Sequence, residues 1–367
     1  MDREQQILDL IRRNPFISQN EIANHIGISR SAVAGYIAAL TKRGVIRGRA
    51  YVTADENTVL CIGGANLDSK ATAKQRIRSA SSNPADVKES CGGVARNIAE
   101  NLARLSCSVS LLTVVGDDQA GQRVLKETAR AGVDTSLSDV LTDGKTGTYT
   151  ALLDVNGEMF VAFADMDIYD RISAQLLQEK WSHIAASKLV IADTNLPSDG
   201  LNELIRRCRD SALPLFIDPV SSEKTKKLPS DLRGVTAIFP NLEEAIELAG
   251  AGAAAWDKSN YVELADAIHK RGVRHVFITT GEQGVAYSGD EGAAILFPSI
   301  PTDVVEVTGA GDAFVAGVAY GILQDYNYSD ACRLGLAAAH LTLQTSESVS
   351  TQLNESVLQQ TAKERLS

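Results

Sequence analysis

The pattern of hydrophobic and polar positions changes character twice along the chain. Residues 3–13 place Ile7, Leu8 and Ile11 at helical spacing; Ser18 and Glu21 form a capping box for a second helix through Ile26, and Gly27 ends it. A third helix, roughly 29–43, carries Val33, Ile37 and Leu40 on one face, and Gly44–Val52 reads as a short β-wing before a polar boundary at 54–57. From Thr58 the pattern becomes short apolar strands alternating with helices: VLCIGG (59–64), SVSLLTVVG (108–116), SKLVIADTNL (187–196), LPLFIDPVS (213–221) and GVTAIFP (234–240). HVFITTGEQGVAYS (275–288) is strand, turn and strand, and an Ala-rich helix covers 329–343. Gly147–Ala164 differs, with period-two alternation on both sides of Asp154-Val155-Asn156-Gly157, a hairpin. Alternating strands and helices, with Asp193, Asp218 and Asn241 where strands end, predict a doubly wound α/β sheet.

Charge divides the chain at the same boundary. The net charge is −10 over 367 residues, yet residues 1–53 hold eight Lys/Arg against four Asp/Glu, a net +4 that leaves −14 for the remainder. A basic head on an acidic body argues for two partners of different kinds and against a protein that coats nucleic acid or membrane. The five cysteines (Cys61, Cys91, Cys107, Cys208, Cys332) include no C-x-x-C pair, and His25, His183, His269, His275 and His340 are scattered without metal-ligand spacing. With no long apolar run and no signal-like N-terminus, a cytoplasmic location is expected.

The most informative stretch is Val304–Tyr320, VVEVTGAGDAFVAGVAY, a β-branched lead-in, a glycine turn at Thr308-Gly309-Ala310-Gly311-Asp312, then a helix. Gly309 and Gly311 let a ligand approach the backbone, and the first amides of a helix form an anion site. Asp312 reads in two ways, as an N-terminal cap or as a base for a hydroxyl attacking a phosphate held by those amides. Position 314 is Phe, so no third glycine completes a dinucleotide fingerprint; Asp143-Gly144-Lys145-Thr146 has Asp139 where a P-loop needs its leading glycine.

TGAGDAF after such a lead-in resembles the C-terminal signature of the ribokinase (PfkB) carbohydrate kinases, and similar stretches run from Val59 to about Ser350. The resemblance implies a ribokinase-like kinase domain over 58–355, with lid strands at about 65–72 and 147–165, and Asp312 as catalytic base beside an anion hole of Gly309, Ala310 and Gly311. It places Asp68, Gly93 and Asn97 on the acceptor; Asn66 and Gly92 join them from the same two glycine loops, and Asp165 at the lid edge reads either as a contact to the acceptor's base or as part of an exposed loop. It places Asn241, Thr280, Gly281, Gly284 and Thr308 on the nucleotide, and Glu244 on Mg²⁺ through water. ATP and Mg²⁺ are the implied cofactors. The family's usual Asp-Thr-Thr is here Glu306-Val307-Thr308, which leaves a monovalent cation open, and Val94 stands where ribokinase carries Lys, pointing away from free ribose. Within the family, GGVARNIAENLARL (92–105), DVNGEMFVAFADM (154–166), DPVS (218–221) and VTGAGDA (307–313) look like the pseudouridine kinases, which implies phosphorylation of a nucleoside 5′-hydroxyl.

Residues 1–53 resemble a winged helix-turn-helix domain, all-α apart from its wing. Ser29, Arg30, Ser31, Ala34 and Tyr36 would face the groove of double-stranded DNA, and Lys42, Arg43, Arg47 and Arg49 its phosphates. A small helical oligomerisation or lid domain is the alternative. The whole reads as a nucleoside or sugar kinase with a DNA-binding head, acting as a homodimer through lid or head; a transcription regulator that uses a kinase fold to sense a ligand is the competing class.

Overall fold

The computed structural model describes residues 3–14, 16–43, 45–46, 58–250, 260–289 and 294–366. The chain divides into two compact units, Met1–Asp55 and Glu56–Ser367.

In the first unit, helices α1 (Arg3–Arg13), α2 (Gln19–Ile26) and α3 (Arg30–Lys42) surround a core of Ile7, Ile22, Ala23, Val33 and Leu40. The capping box is present: Glu21 N–H donates to Ser18 Oγ over 3.1 Å and Ser18 N–H to Glu21 Oε2 over 2.6 Å. Ser29 Oγ caps α3 by accepting from Ala32 N–H at 3.2 Å. Arg30 and Ser31 are exposed at the start of α3, whereas Tyr36, expected to face outward, packs partly against the core. Lys42 is exposed, and Arg43 is ion-paired with Glu4 of α1. Of the expected wing, Val45 and Ile46 are described; Arg47 and Arg49 lie outside the described residues.

The second unit is built on an eight-stranded sheet. Its strands are β1 (Val59–Ile62), β4 (Val109–Leu112), β9 (Leu189–Asp193), β10 (Leu215–Asp218), β11 (Ala237–Ile238), β12 (His275–Thr279), β13 (Val285–Ser288) and β14 (Ile295–Phe297), in the order β14-β13-β12-β11-β10-β9-β1-β4. Pairing is parallel from β4 to β12 and antiparallel for the last two strands. Every residue of β1, β9 and β10 is buried because both faces are covered: Val59 and Cys61 join one core, Leu60 and Ile62 the other. The strand order reverses at β1, whose successors lie on either side of it, so a crevice opens at the C-terminal ends of β1 and β9.

A second sheet has the order β3-β2-β7-β8, from β2 (Asn66–Ala73), β3 (Ala85–Gly92), β7 (Thr148–Leu153) and β8 (Met159–Asp165). The hairpin lies where its alternation predicts, while β3 was not foreseen: in ADVKESCG the apolar row of Ala85, Val87 and Cys91 is broken by Glu89, and its first residues are mostly exposed. Two further departures concern single strands. The stretch 108–116 breaks after Leu112, sending β5 (Val114–Gly116) to pair with β6 (Asp139–Leu141), and 234–240 yields only the two residues of β11. Thr146, at the end of the P-loop-like stretch, is tied back to Asp118, its hydroxyl donating to Oδ1 at 2.6 Å.

Candidate active site

The helix Ala310–Leu323 begins at Gly309, which supplies no side-chain cap. Asp312 does not cap it either. Its carboxylate turns away from the helix start, and Oδ2 accepts from Asn97 Nδ2 at 2.8 Å, a bond between residues 215 apart in sequence. Asn97 lies on α4 (Val94–Arg104), whose entry loop carries Gly92 and Gly93. The cap reading of Asp312 is thereby removed, while the amides of the helix start keep their anion-binding character.

Asp312 is buried, and its carboxyl is pushed up to about 7 by that burial, with Asp193 and Asp68 adding repulsion against the hydrogen bond from Asn97. Asp68, on β2, is lifted to about 6 by burial and accepts from Asn66 Nδ2 at 2.5 Å. A side chain at position 92 would put its Cβ 2.1 Å from Asp68 Oδ2, so glycine there lets β3 deliver the loop against the carboxylate. Asn66, Asp68, Gly92, Gly93, Asn97 and Asp312 therefore converge. Asp165 ends β8 opposite Thr148 and is exposed.

Three further groups hold this cluster in place, of which the sequence marked only Asp193, as an acid at a strand end. Asp193, fully buried at the end of β9, accepts from Gly64 N–H (2.8 Å), Ala95 N–H (3.0 Å) and Asn195 N–H (2.9 Å), so one carboxylate ties both glycine loops to the sheet. Arg96, ion-paired with Glu100, donates to Asn97 Oδ1 at 3.0 Å; this fixes which end of the Asn97 amide faces Asp312. Lys224, half-buried, donates to Asn195 Oδ1, and burial lowers its pKa. A buried Arg beside the Gly-Gly loop was the available signal for the second; the others depend on contacts between distant segments.

On the other side of the helix start, Ala310 and Gly311 line a cavity of about 830 Å³ together with Gly281, Gly284, Pro301 and His340. That size suits a small-molecule ligand. Thr280 turns inward instead: its hydroxyl donates to the Gly284 carbonyl at 2.9 Å and so shapes the turn. Thr308 Oγ1 donates to Glu306 Oε1 at 2.9 Å. Asn241 and Glu244 form a capping box, with Glu244 Oε2 accepting from Asn241 N–H at 2.9 Å. Among the described residues no group of three or more His, Cys, Asp or Glu is disposed to ligate a metal directly. Burial raises the carboxyls of Glu244 and Asp218, and for Asp218 repulsion from Asp312 and Glu244 adds to it, a repulsion that a hydrated Mg²⁺ between them would relieve.

A crevice at the switch point and an uncapped helix start, with one buried carboxylate between them, are an arrangement suited to phosphoryl transfer on a ribokinase-like fold. Residues 56–354 match the model of the pfkB family carbohydrate kinases, and residues 2–47 that of winged helix-turn-helix DNA-binding domains. The chain is 34% identical to "Uncharacterized sugar kinase YeiI" of Escherichia coli (strain K12), over 93% of each chain. It is 32% identical to the pseudouridine kinase of the same organism, over 79% of this chain and 91% of that one. Among solved structures, a carbohydrate kinase from Agrobacterium tumefaciens superposes with a TM-score of 0.73 at 29% identity, covering 84% of this chain and 98% of its own. The chain belongs to the pfkB family of carbohydrate kinases. It is a sugar or nucleoside kinase with an N-terminal winged helix-turn-helix domain, and ATP use follows from the family. Among the described residues no helix is long and apolar enough to cross a membrane.

Proposed function

We propose that the chain transfers the γ-phosphoryl group of ATP to the 5′-hydroxyl of a nucleoside, with pseudouridine as the acceptor. The observation that carries the reading is the buried Asp312 carboxylate, held by Asn97 at a helix start that has no side-chain cap. Its pKa near 7 suits a base that must take a hydroxyl proton at neutral pH. Asp68 and Asn97 accept from and donate to ribosyl hydroxyls, and the amides of 309–312 stabilise charge on the phosphoryl group in flight. Mg²⁺ held through water by Glu244 and Asp218 would neutralise phosphate charge when bound. The likeness to a pseudouridine kinase supports the choice of acceptor. The test is ADP release from Mg-ATP against pseudouridine, uridine, cytidine, ribose, fructose and no acceptor. Turnover confined to pseudouridine is expected; turnover on another acceptor alone removes the substrate name, and none on any acceptor favours the ligand-sensing regulator.

We further infer that the head binds double-stranded DNA through Arg30 and Ser31, which stand exposed at the start of α3. Arg30→Ala should weaken a mobility shift of DNA from upstream of the gene by about tenfold, the scale of one lost base contact. An unchanged shift would remove Arg30 from the interface. Exposed Met159, Phe160 and Phe163 on β8 suit a homodimer, which a single-chain mass by light scattering would exclude.

A further inference from the structure

Strand β2 reaches two places. Asp68 sits in the hydroxyl-binding cluster, and Lys70, two residues on and therefore on the same face of the strand, reaches the turn before the anion-binding helix. Lys70 Nζ lies 2.8 Å from Glu306 Oε2, across a separation of 236 residues. The other oxygen of Glu306 organises that turn: Oε1 accepts from Val307 N–H (3.0 Å), Thr308 N–H (3.2 Å) and Thr308 Oγ1 (2.9 Å), immediately ahead of Gly309. Burial opposes ionisation of Glu306, but the bonds from Lys70 and Thr308 outweigh it and hold the carboxyl at about 2. Within its own sheet Lys70 stands directly opposite Lys88 of β3, an unfavourable like-charge pairing, so its electrostatic partner comes from outside the sheet. The motifs leave Lys70 unmarked and mark Glu306 only as a departure from the family's usual Asp, so the pairing of the two is set by the fold.

We infer that Lys70 and Glu306 are positioning residues that couple the two substrate sites: an acceptor that orders β2 through Asp68 also orders, through the Lys70–Glu306 pair, the turn that presents amides to the nucleotide phosphates. The inference rests on the kinase reading. It makes binding of the two substrates mutually favourable, and by linkage the factor is the same in both directions.

The experiment is calorimetric titration of the full chain with Mg²⁺ and a non-hydrolysable ATP analogue, with and without saturating acceptor. Pseudouridine is the probe or, should it not turn over, whichever acceptor in the panel does. In the parent protein the acceptor is expected to tighten nucleotide binding by roughly 5-fold or more. In Lys70→Met and in Glu306→Gln that factor falls towards one, while the affinity for acceptor alone stays within about twofold, because Asp68 and Asn97 are intact. Lys70→Arg restores the factor, since a guanidinium still reaches the carboxylate. A general loss of structure would instead weaken acceptor and nucleotide binding separately, and Arg would not rescue it. Coupling absent from the parent, or as strong in Lys70→Met as in the parent, overturns the inference. Failure of the kinase reading shows separately, as a parent protein that phosphorylates no acceptor.

Discussion

Asn in place of Asp312 should lower kcat by about 10²–10⁴-fold, the usual contribution of a positioned base, while acceptor and nucleotide still bind. Asn keeps the shape and can still accept a hydrogen bond from Asn97, so what it removes is the proton acceptor. The parent enzyme should show an acid limb near pH 7 in kcat/KM, rising as Asp312 ionises, and the residual activity of the variant should lack it. Stability moves the opposite way. Burial raises this carboxyl from 3.8 to about 7, so the folded chain retains a proton that the unfolded chain has released. The stability linked to that proton is fully present below about 3.8 and is lost as pH rises through about 7. The neutral Asn escapes the loss. Asp312→Asn should therefore unfold at higher temperature than the parent at pH 8, by on the order of 1–2 kcal/mol in stability after allowance for the retained hydrogen bond, with the gap closing towards pH 4. Undiminished turnover in the variant would end the assignment of Asp312 as base. Equal melting curves at pH 8 would show that its carboxylate is better solvated than its burial implies.

The second large effect separates two glycines that the motif presents as equals. Gly309 has φ +85°, and a Cβ there would lie 2.0 Å from the Ser348 carbonyl oxygen, so its substitution damages the fold. Gly311 is exposed at the cavity wall; its φ is not in the positive region, and a Cβ would meet nothing within 4 Å. Ala at 311 should even stabilise the helix by about 0.5–1 kcal/mol, because glycine is a poor helix former. A position where the fold tolerates a side chain but the chain has none points to a ligand that needs the space. Gly311→Val should therefore melt within a few degrees of the parent yet lose about 10²–10³-fold in kcat/KM for ATP, the scale of losing a preorganised donor to developing charge. Parent-like kinetics with ATP in Gly311→Val would mean that the phosphates lie elsewhere.

Which parts of this arrangement are local decides which were legible. The capping box of Ser18 and Glu21, the hairpin at Asp154–Gly157 and the glycine turn before Asp312 are each set by a few consecutive residues, and all three appear where the pattern places them. Strand β3 was hidden because ADVKESCG forms an edge strand with little burial, so its apolar row of Ala85, Val87 and Cys91 tolerates Glu89 and the alternation is weak. The break between β4 and β5 was hidden for a different reason: 109–115 is apolar apart from Ser110 and Thr113 and reads as one strand, and only the pairing of β5 with β6 divides it.

The sequence by itself determined the two-part organisation, the alternation of strands and helices, and the residue types that phosphoryl transfer needs, because periodicity, turn chemistry and motif spacing act over short distances. It left Asp312 with two readings, cap or base. Tertiary structure removes the first by bringing Asn97 to its carboxylate across 215 residues in a buried cluster with Asp68 and Asp193; the second is our proposal. The parts played by Asp193, Arg96 and the Lys70–Glu306 pair were likewise decided there. A buried charge takes its character from whichever partners the fold sets beside it, and those partners come from segments whose order along the chain does not reveal that they will meet.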